Sequence, residues 1–133
     1  MNKSKFYITT AIDYTNAPPH LGHALEKVQA DVIARYQRIL LGNENVFFLT
    51  GADEHGIKIV RSAEVAGKDV KDFVDENVGK FKDLINNLNI SSDDFIRTSD
   101  KKRHWPGAQA LWKKLVEADD IYKSKYNGYY CAG

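Results

Sequence analysis

Phe6–His23, FYITTAIDYTNAPPHLGH, decides the reading of this chain. Phe6, Ile8, Ala11 and Ile12 lie in a short apolar, β-branched run that predicts a buried strand. Asp13–Pro19 reads as a loop, broken by Asn16, Pro18 and Pro19. His20-Leu21-Gly22-His23 then opens a long helical pattern. A strand, a tight loop and a helix start bring free backbone N–H groups and the positive end of a helix dipole to one place, which suits a phosphate. His20 and His23 fall on one side of the helix start, and each imidazole can donate to a phosphate oxygen. Gly22 between them has no side chain, so a flat ring such as adenine can approach the backbone.

Working outward, Leu21–Leu41 is the first helix, with Leu25, Val28, Val32, Tyr36 and Ile39 sharing an apolar face. Asp31 and Arg35 are placed for an ion pair on the other side, and Gly42 is the expected stop. Asn45–Thr50, NVFFLT, is too short for a helix and reads as a buried parallel strand. Strand, helix and strand begin a Rossmann-like α/β parallel sheet. Ligands of such sheets bind at the carboxyl ends of the strands. Ala11–Tyr14 and Gly51–His55 are therefore expected to face one crevice. Ile57–Ala66 reads as a helix ending at Gly67. Asp69 caps another, striped by Val70, Phe73, Val74, Asn77, Phe81, Leu84, Ile85 and Leu88. Asp94–Thr98 is a third strand. Ser99 and Asp100 start a helix facing Trp105, Ala108, Leu111, Trp112 and Leu115, with Pro106 near its beginning. Asn127-Gly128 between Ile121–Lys125 and Tyr129–Cys131 signals a hairpin.

The chain has 133 residues, 43% hydrophobic and 28% charged, enough for one domain with a core. Its 19 basic and 18 acidic residues leave a net charge of +1, which argues against nucleic-acid binding through bulk charge. A lone Cys131 excludes an internal disulfide and a cysteine-rich zinc site. No stretch reaches the length of a membrane span, and Met1–Lys5 runs into the first strand without a signal-peptide core. A cytoplasmic protein with no membrane partner is expected.

Four segments in order carry a family resemblance: YTNAPPHLGHALEKVQADVIARYQR (Tyr14–Arg38), FFLTGADEHG (Phe47–Gly56), DDFIRTSD (Asp93–Asp100) and ADDIYKSKYNGYYC (Ala118–Cys131). Together they resemble the methionyl-tRNA synthetases, class I aminoacyl-tRNA synthetases. The resemblance implies that residues 1–120 are the N-terminal half of a Rossmann-type catalytic domain. Residues 121–133 would be the truncated start of a connective insertion. It implies activation of L-methionine by ATP, entering with magnesium, and transfer to tRNA(Met), with no covalent enzyme nucleophile. His20 and His23 match the catalytic histidines that contact ATP phosphates, and Gly22 the position beneath adenine. Ala11, Ile12 and Tyr14 match walls of the methionine pocket, and Asp53 the carboxylate that receives the methionine ammonium. His55 stands as support for that pocket or as a substrate contact. No metal site is expected in these residues; zinc belongs, in some members, to the insertion. The second signature loop, of Lys-Met-Ser-Lys-Ser type, is absent from the 133 residues. One side of the sheet is accordingly expected to be left uncovered.

Each site residue also has a plain structural reading. The histidines could serve only to satisfy the helix start, Asp53 to cap the next helix, and Tyr14 to pack. Trp105 and Trp112 read as core or interface, and Lys101-Lys102-Arg103 as a solvated helix start. Two other functions share the first motif: a small self-contained nucleotidyltransferase with a His-x-Gly-His signature, and a non-catalytic Rossmann module that binds a partner.

Overall fold

Three parallel strands form one sheet in the order β1-β2-β3: β1 (Phe6–Tyr14), β2 (Val46–Asp53) and β3 (Asp94–Arg97). The structure is a computed structural model and describes residues 4–125 and 127–128. Parallel neighbours need crossovers. Here they are α1 (Leu21–Leu41) with a 3-10 turn at Asn43–Asn45, then α2 (Ile57–Val65) and α3 (Val70–Asn87). A fourth helix, α4 (Trp105–Glu117), follows β3. The expected α/β architecture is present.

Helix boundaries follow local chemistry. Gly42 ends α1 at φ 91°, a conformation that glycine adopts without a Cβ penalty. The Asp69 carboxylate accepts the N–H groups of Lys71 and Asp72 and so starts α3. Three boundaries differ from the sequence reading by more than one residue. β1 does not end at Ile12: Asp13 and Tyr14 pair with Ala52 and Asp53, so the loop is shorter than Asp13–Pro19. β2 likewise continues through Asp53. The last helix begins at Trp105 rather than Ser99, because Asp100 accepts the N–H groups of Lys102 and Arg103 and holds that segment in turns. Residues 121–125 carry no regular element, and Tyr129–Cys131 of the expected hairpin lies outside the described residues.

One face of the sheet is covered. Ile8, Phe48 and Phe95 pack with Ala30 and Ala34 of α1 and with Ile85 and Ile90. Ala52 packs with Ile59, Val74 and Val78. Phe48 and Phe81 are fully buried, each worth about 2–3 kcal/mol of transfer free energy. A hydrogen-bonded clamp ties the turn before β3 to α1. Asp31 accepts the Ser91 N–H at 2.7 Å and Arg35 Nε at 2.6 Å, and Arg38 donates to Ser91 Oγ at 2.6 Å and to Asp93 at 2.7 Å.

The face of α1 that meets the sheet is not the predicted one. Lys27, Ala30, Asp31 and Ala34 are buried, whereas Leu25, Val28, Val32, Tyr36 and Ile39 are exposed, Ile39 at 82%. Small Ala30 and Ala34 let the helix backbone approach the strands, a closeness that branched residues would prevent. The Asp31–Arg35 pair forms as expected, on the buried side of the helix. The opposite sheet face is bare in part: Tyr7 and Phe47 stack on each other at 5.9 Å and remain 60% and 45% exposed. Uncovered apolar surface was expected there. The stripe on α1 and the exposed face of α4, with Trp112 at 60%, add to it.

Candidate active site

β1 contains one extra residue where it pairs with β2: Thr9 is opposite Leu49, but Ile12 is opposite Gly51. Such a bulge shifts the side-chain alternation by one. Asp13 is thereby turned beneath α1, and Ile12 lies on the other face, with its Cγ2 near Gly51. The backbone N–H of Ala11, freed from the ladder, donates to Glu26 Oε1 of α1 at 2.8 Å. Ala11 and Ile12 are both solvent-exposed at this strand end.

His20 is the N-cap of α1, and His23 is its third residue. His23 Nδ1 accepts the His20 N–H at 3.1 Å, and His20 Nδ1 accepts the Gly22 N–H at 3.0 Å. The imidazoles thus play the reciprocal part usually taken by serine and glutamate at a helix start. The ring centroids are 3.9 Å apart, and the edge of Phe81 from α3 meets His23 at 5.1 Å. The cap reading of both residues is therefore correct for their Nδ1 atoms. With Nδ1 accepting, the neutral rings carry their proton on Nε2. Gly22 has a role the sequence did not suggest: a Cβ there would lie 2.9 Å from the His20 ring, so its bareness makes room for that imidazole.

Asp13 and Lys27 form an ion pair under the two histidines, with side chains 2% and 0% exposed. His23 Nε2 lies 3.9 Å from Asp13 Oδ1. Burial is the largest influence on both titrating groups. It pushes Asp13 above the usual carboxylate range against the opposing effect of Lys27. It pushes His23 below the usual imidazole range against the opposing charge of Asp13. Neither Asp13 nor Lys27 was singled out from sequence. The available signal was a lysine at helical spacing between His23 and Ala34, on the side of the helix opposite its apolar stripe.

Asp53 ends β2, opposite Tyr14. It does not cap α2, whose N-cap is Gly56 with no side-chain bond. Its main-chain oxygen holds the loop after β1, accepting Thr15 N at 3.2 Å and Thr15 Oγ1 at 3.1 Å. Among the described residues its carboxylate has only long partners, the His55 N–H at 3.4 Å and Thr98 Oγ1 at 3.5 Å. A half-buried carboxylate with most of its acceptor capacity unused suits an ammonium. His55 supports Asp53 through its backbone, while its side chain lines a largely apolar cleft of about 330 Å³ with Trp105 and Trp112. Tyr14 packs against the Ala52–Val78 cluster, and its hydroxyl occupies the place of a Cβ on Gly56, which has φ 146°. Next to Asp53, buried Glu54 was also missed from sequence. It accepts Arg97 Nε at 2.5 Å and the Ser99 N–H at 3.1 Å, fixing the ends of β2 and β3 together.

Strand ends, histidine-capped helix start and open carboxylate thus converge at the carboxyl edge of a parallel sheet, the ligand edge of Rossmann-type α/β domains. Among the described residues, no group of three or more His, Cys, Asp or Glu is arranged to hold a metal ion, and no helix is long and apolar enough to cross a membrane. The chain belongs to the class I aminoacyl-tRNA synthetases, its residues 6–133 matching the family model described as tRNA synthetases class I (M). Within that class its relatives are methionine–tRNA ligases. That of Brucella suis is 47% identical over 98% of this chain, and that of Thermotoga maritima 49% identical over 96%. The chain spans 25% and 20% of their lengths. A crystal structure of Mycobacterium tuberculosis methionyl-tRNA synthetase bound by methionyl-adenylate superposes with a TM-score of 0.83 at 42% identity. That match covers 90% of this chain and 23% of the other.

Proposed function

We propose that this chain is the N-terminal part of the catalytic domain of a cytoplasmic methionine–tRNA ligase. The complete protein joins L-methionine to ATP, releasing pyrophosphate, and transfers the methionyl group to tRNA(Met). The observation that carries this reading is the convergence of the His20/His23 helix start and the under-used Asp53 carboxylate at one edge of the sheet, in a chain close in sequence to such ligases.

The chemistry follows from the residues. The methionine carboxylate oxygen attacks the α-phosphorus, and the bond to the bridging oxygen of pyrophosphate breaks. Charge accumulates on phosphate oxygens in line with that axis. The Nε2–H groups of His20 and His23 and the N-terminus of α1 supply fixed positive ends where that charge develops. Magnesium arrives with the substrate triphosphate. Asp53 holds the ammonium and so fixes the direction of the carboxylate. Ile12, with Ala11 and Tyr14 beside it, forms the apolar wall that meets a thioether. His55 acts through its backbone N–H, which donates to the Asp53 carboxylate. Gly22, without a side chain, leaves the backbone at the helix start open to the adenine.

Methionine-dependent exchange of pyrophosphate into ATP by the complete protein tests this reading. Exchange that is lost in His23→Ala and weakened for methionine in Asp53→Asn is expected. Exchange driven by a phosphorylated alcohol, and not by methionine, would replace it with the nucleotidyltransferase alternative.

A further inference from the structure

A lysine side chain without exposed surface is unusual, and Lys27 lies one helical turn beyond His23, on the side of α1 that meets the sheet. Its Nζ contacts Asp13 Oδ2, and neither atom has a hydrogen-bond partner beyond that ion pair among the described residues. Buried pairs of this kind gain little stability over apolar residues of similar size. Their placement is therefore informative. Asp13 is here only because of the bulge in β1, and its second oxygen faces His23 Nε2 at 3.9 Å. That separation is too long for a hydrogen bond.

The groups around His23 come from three elements. β1 presents Asp13, α1 presents His20, Glu26 and Lys27, and α3 presents the ring of Phe81. Glu26 is engaged with the Ala11 N–H. Asp13 is thus the acceptor placed to capture the proton on His23 Nε2, and an uncompensated buried carboxylate would do so, drawing the imidazole into a charged pair. The ring atom needed for a ligand would then be committed to the protein.

We propose that Lys27 is a positioning residue for His23: by engaging Asp13 it keeps that carboxylate from capturing Nε2–H, which stays available to a phosphate oxygen of ATP. The proposal rests on the ATP reading of the site. Lys27 and His20 also act with burial to keep His23 uncharged, against Asp13 and Glu26.

The test uses Lys27→Met and the double variant Asp13→Asn/Lys27→Met in the complete protein. K27M is expected to raise the KM for ATP in pyrophosphate exchange about tenfold, leave the KM for methionine within about twofold, and raise the His23 titration midpoint by about one pH unit in histidine NMR spectra. The double variant removes the captor together with its guard, so both quantities should return to within about threefold, or half a pH unit, of the parent. Because no lone buried charge is left, it also decides the matter if K27M fails to fold. A double variant as impaired as K27M, or a K27M protein with parental ATP KM and parental His23 titration, overturns the proposal. If the parent itself shows no exchange, the ATP reading has failed, and the His23 titrations alone decide the role of Lys27.

Discussion

His20 and His23 close the first turn of α1 on each other: His23 Nδ1 accepts the His20 N–H, while His20 Nδ1 accepts the N–H of Gly22. One nitrogen of each ring builds the helix, and the other takes no part in that turn. The cap and the proposed phosphate contact can be separated by mutation. Asparagine caps a helix well but presents its donor in a different place. His20→Asn should keep unfolding stability within about 0.5 kcal/mol of the parent, whereas His20→Ala should lose about 1 kcal/mol. Both should reduce adenylate formation, by about 10- to 100-fold. Urea unfolding and pyrophosphate exchange on the same samples check this; an Asn variant with full activity would reduce His20 to a cap.

Asp53 should act on methionine and little on folding. Its carboxylate bonds are 3.4 and 3.5 Å long, and its loop contacts use the main-chain oxygen, which a side-chain change leaves in place. Asp53→Asn should therefore cost under about 1 kcal/mol of stability while raising the KM for methionine about 10- to 100-fold through loss of a charge-assisted bond. The KM for ATP should be unchanged.

Gly51 is a packing constraint. A Cβ there would lie 2.3 Å from the Ile96 carbonyl oxygen and 2.6 Å from Ile96 Cγ2. A main-chain oxygen cannot yield as a side-chain tip can. Gly51→Ala should push β2 and β3 apart and cost about 3 kcal/mol or more, read as a lower denaturation midpoint. Gly79→Ala, where an added Cβ meets nothing within 4 Å, should be neutral or stabilising by up to about 1 kcal/mol.

The clamp between α1 and the turn before β3 depends on Asp31. Burial alone would raise this carboxyl, but the Ser91 hydroxyl, Arg35 and the Ser91 N–H outweigh it and hold Asp31 below the usual 3.8. Stability from this group is present above that value and is lost as pH falls through the depressed one. Asp31→Ala should cost about 2–3 kcal/mol, chiefly by stranding the Ser91 donors; the half-exposed Arg35 contributes little of that. Thermal unfolding at neutral pH measures it.

His23 gives the opposite acid behaviour to a salt-bridged histidine. Its folded value lies below the ordinary 6.5 because burial opposes the charged ring. Above 6.5 the ring is neutral folded or unfolded. Below it, the unfolded chain takes up a proton that the folded ring resists, so stability falls with pH until the depressed value is passed. Asp13, raised from 3.8, works in the other direction in its own window just above that value. His23→Gln should flatten the decline that sets in as pH falls below 6.5, checked by urea midpoints measured on both sides of that value.

The amino-acid sequence by itself determined the elements and the edge at which they meet. Leu21–Leu41, Gly42 and the Asp69 cap were readable because capping and helical periodicity are local properties, set by residues within a turn of one another. The Phe47–Gly56 segment and the paired histidines were readable for the same reason, and they stand at the end of β2 and the start of α1. The partner of each face was not readable. Val32 and Ile39 form as clear a stripe as any core helix, yet the sheet meets Ala30 and Ala34. Periodicity reports that a face avoids water, not which surface covers it. Nor could spacing reveal the bulge in β1, which pairs one extra residue against a distant strand and so decides that Asp13, not its neighbour, lies beneath α1 beside Lys27 and His23. That choice depends on strand register, and register is set by contacts between residues far apart in the chain.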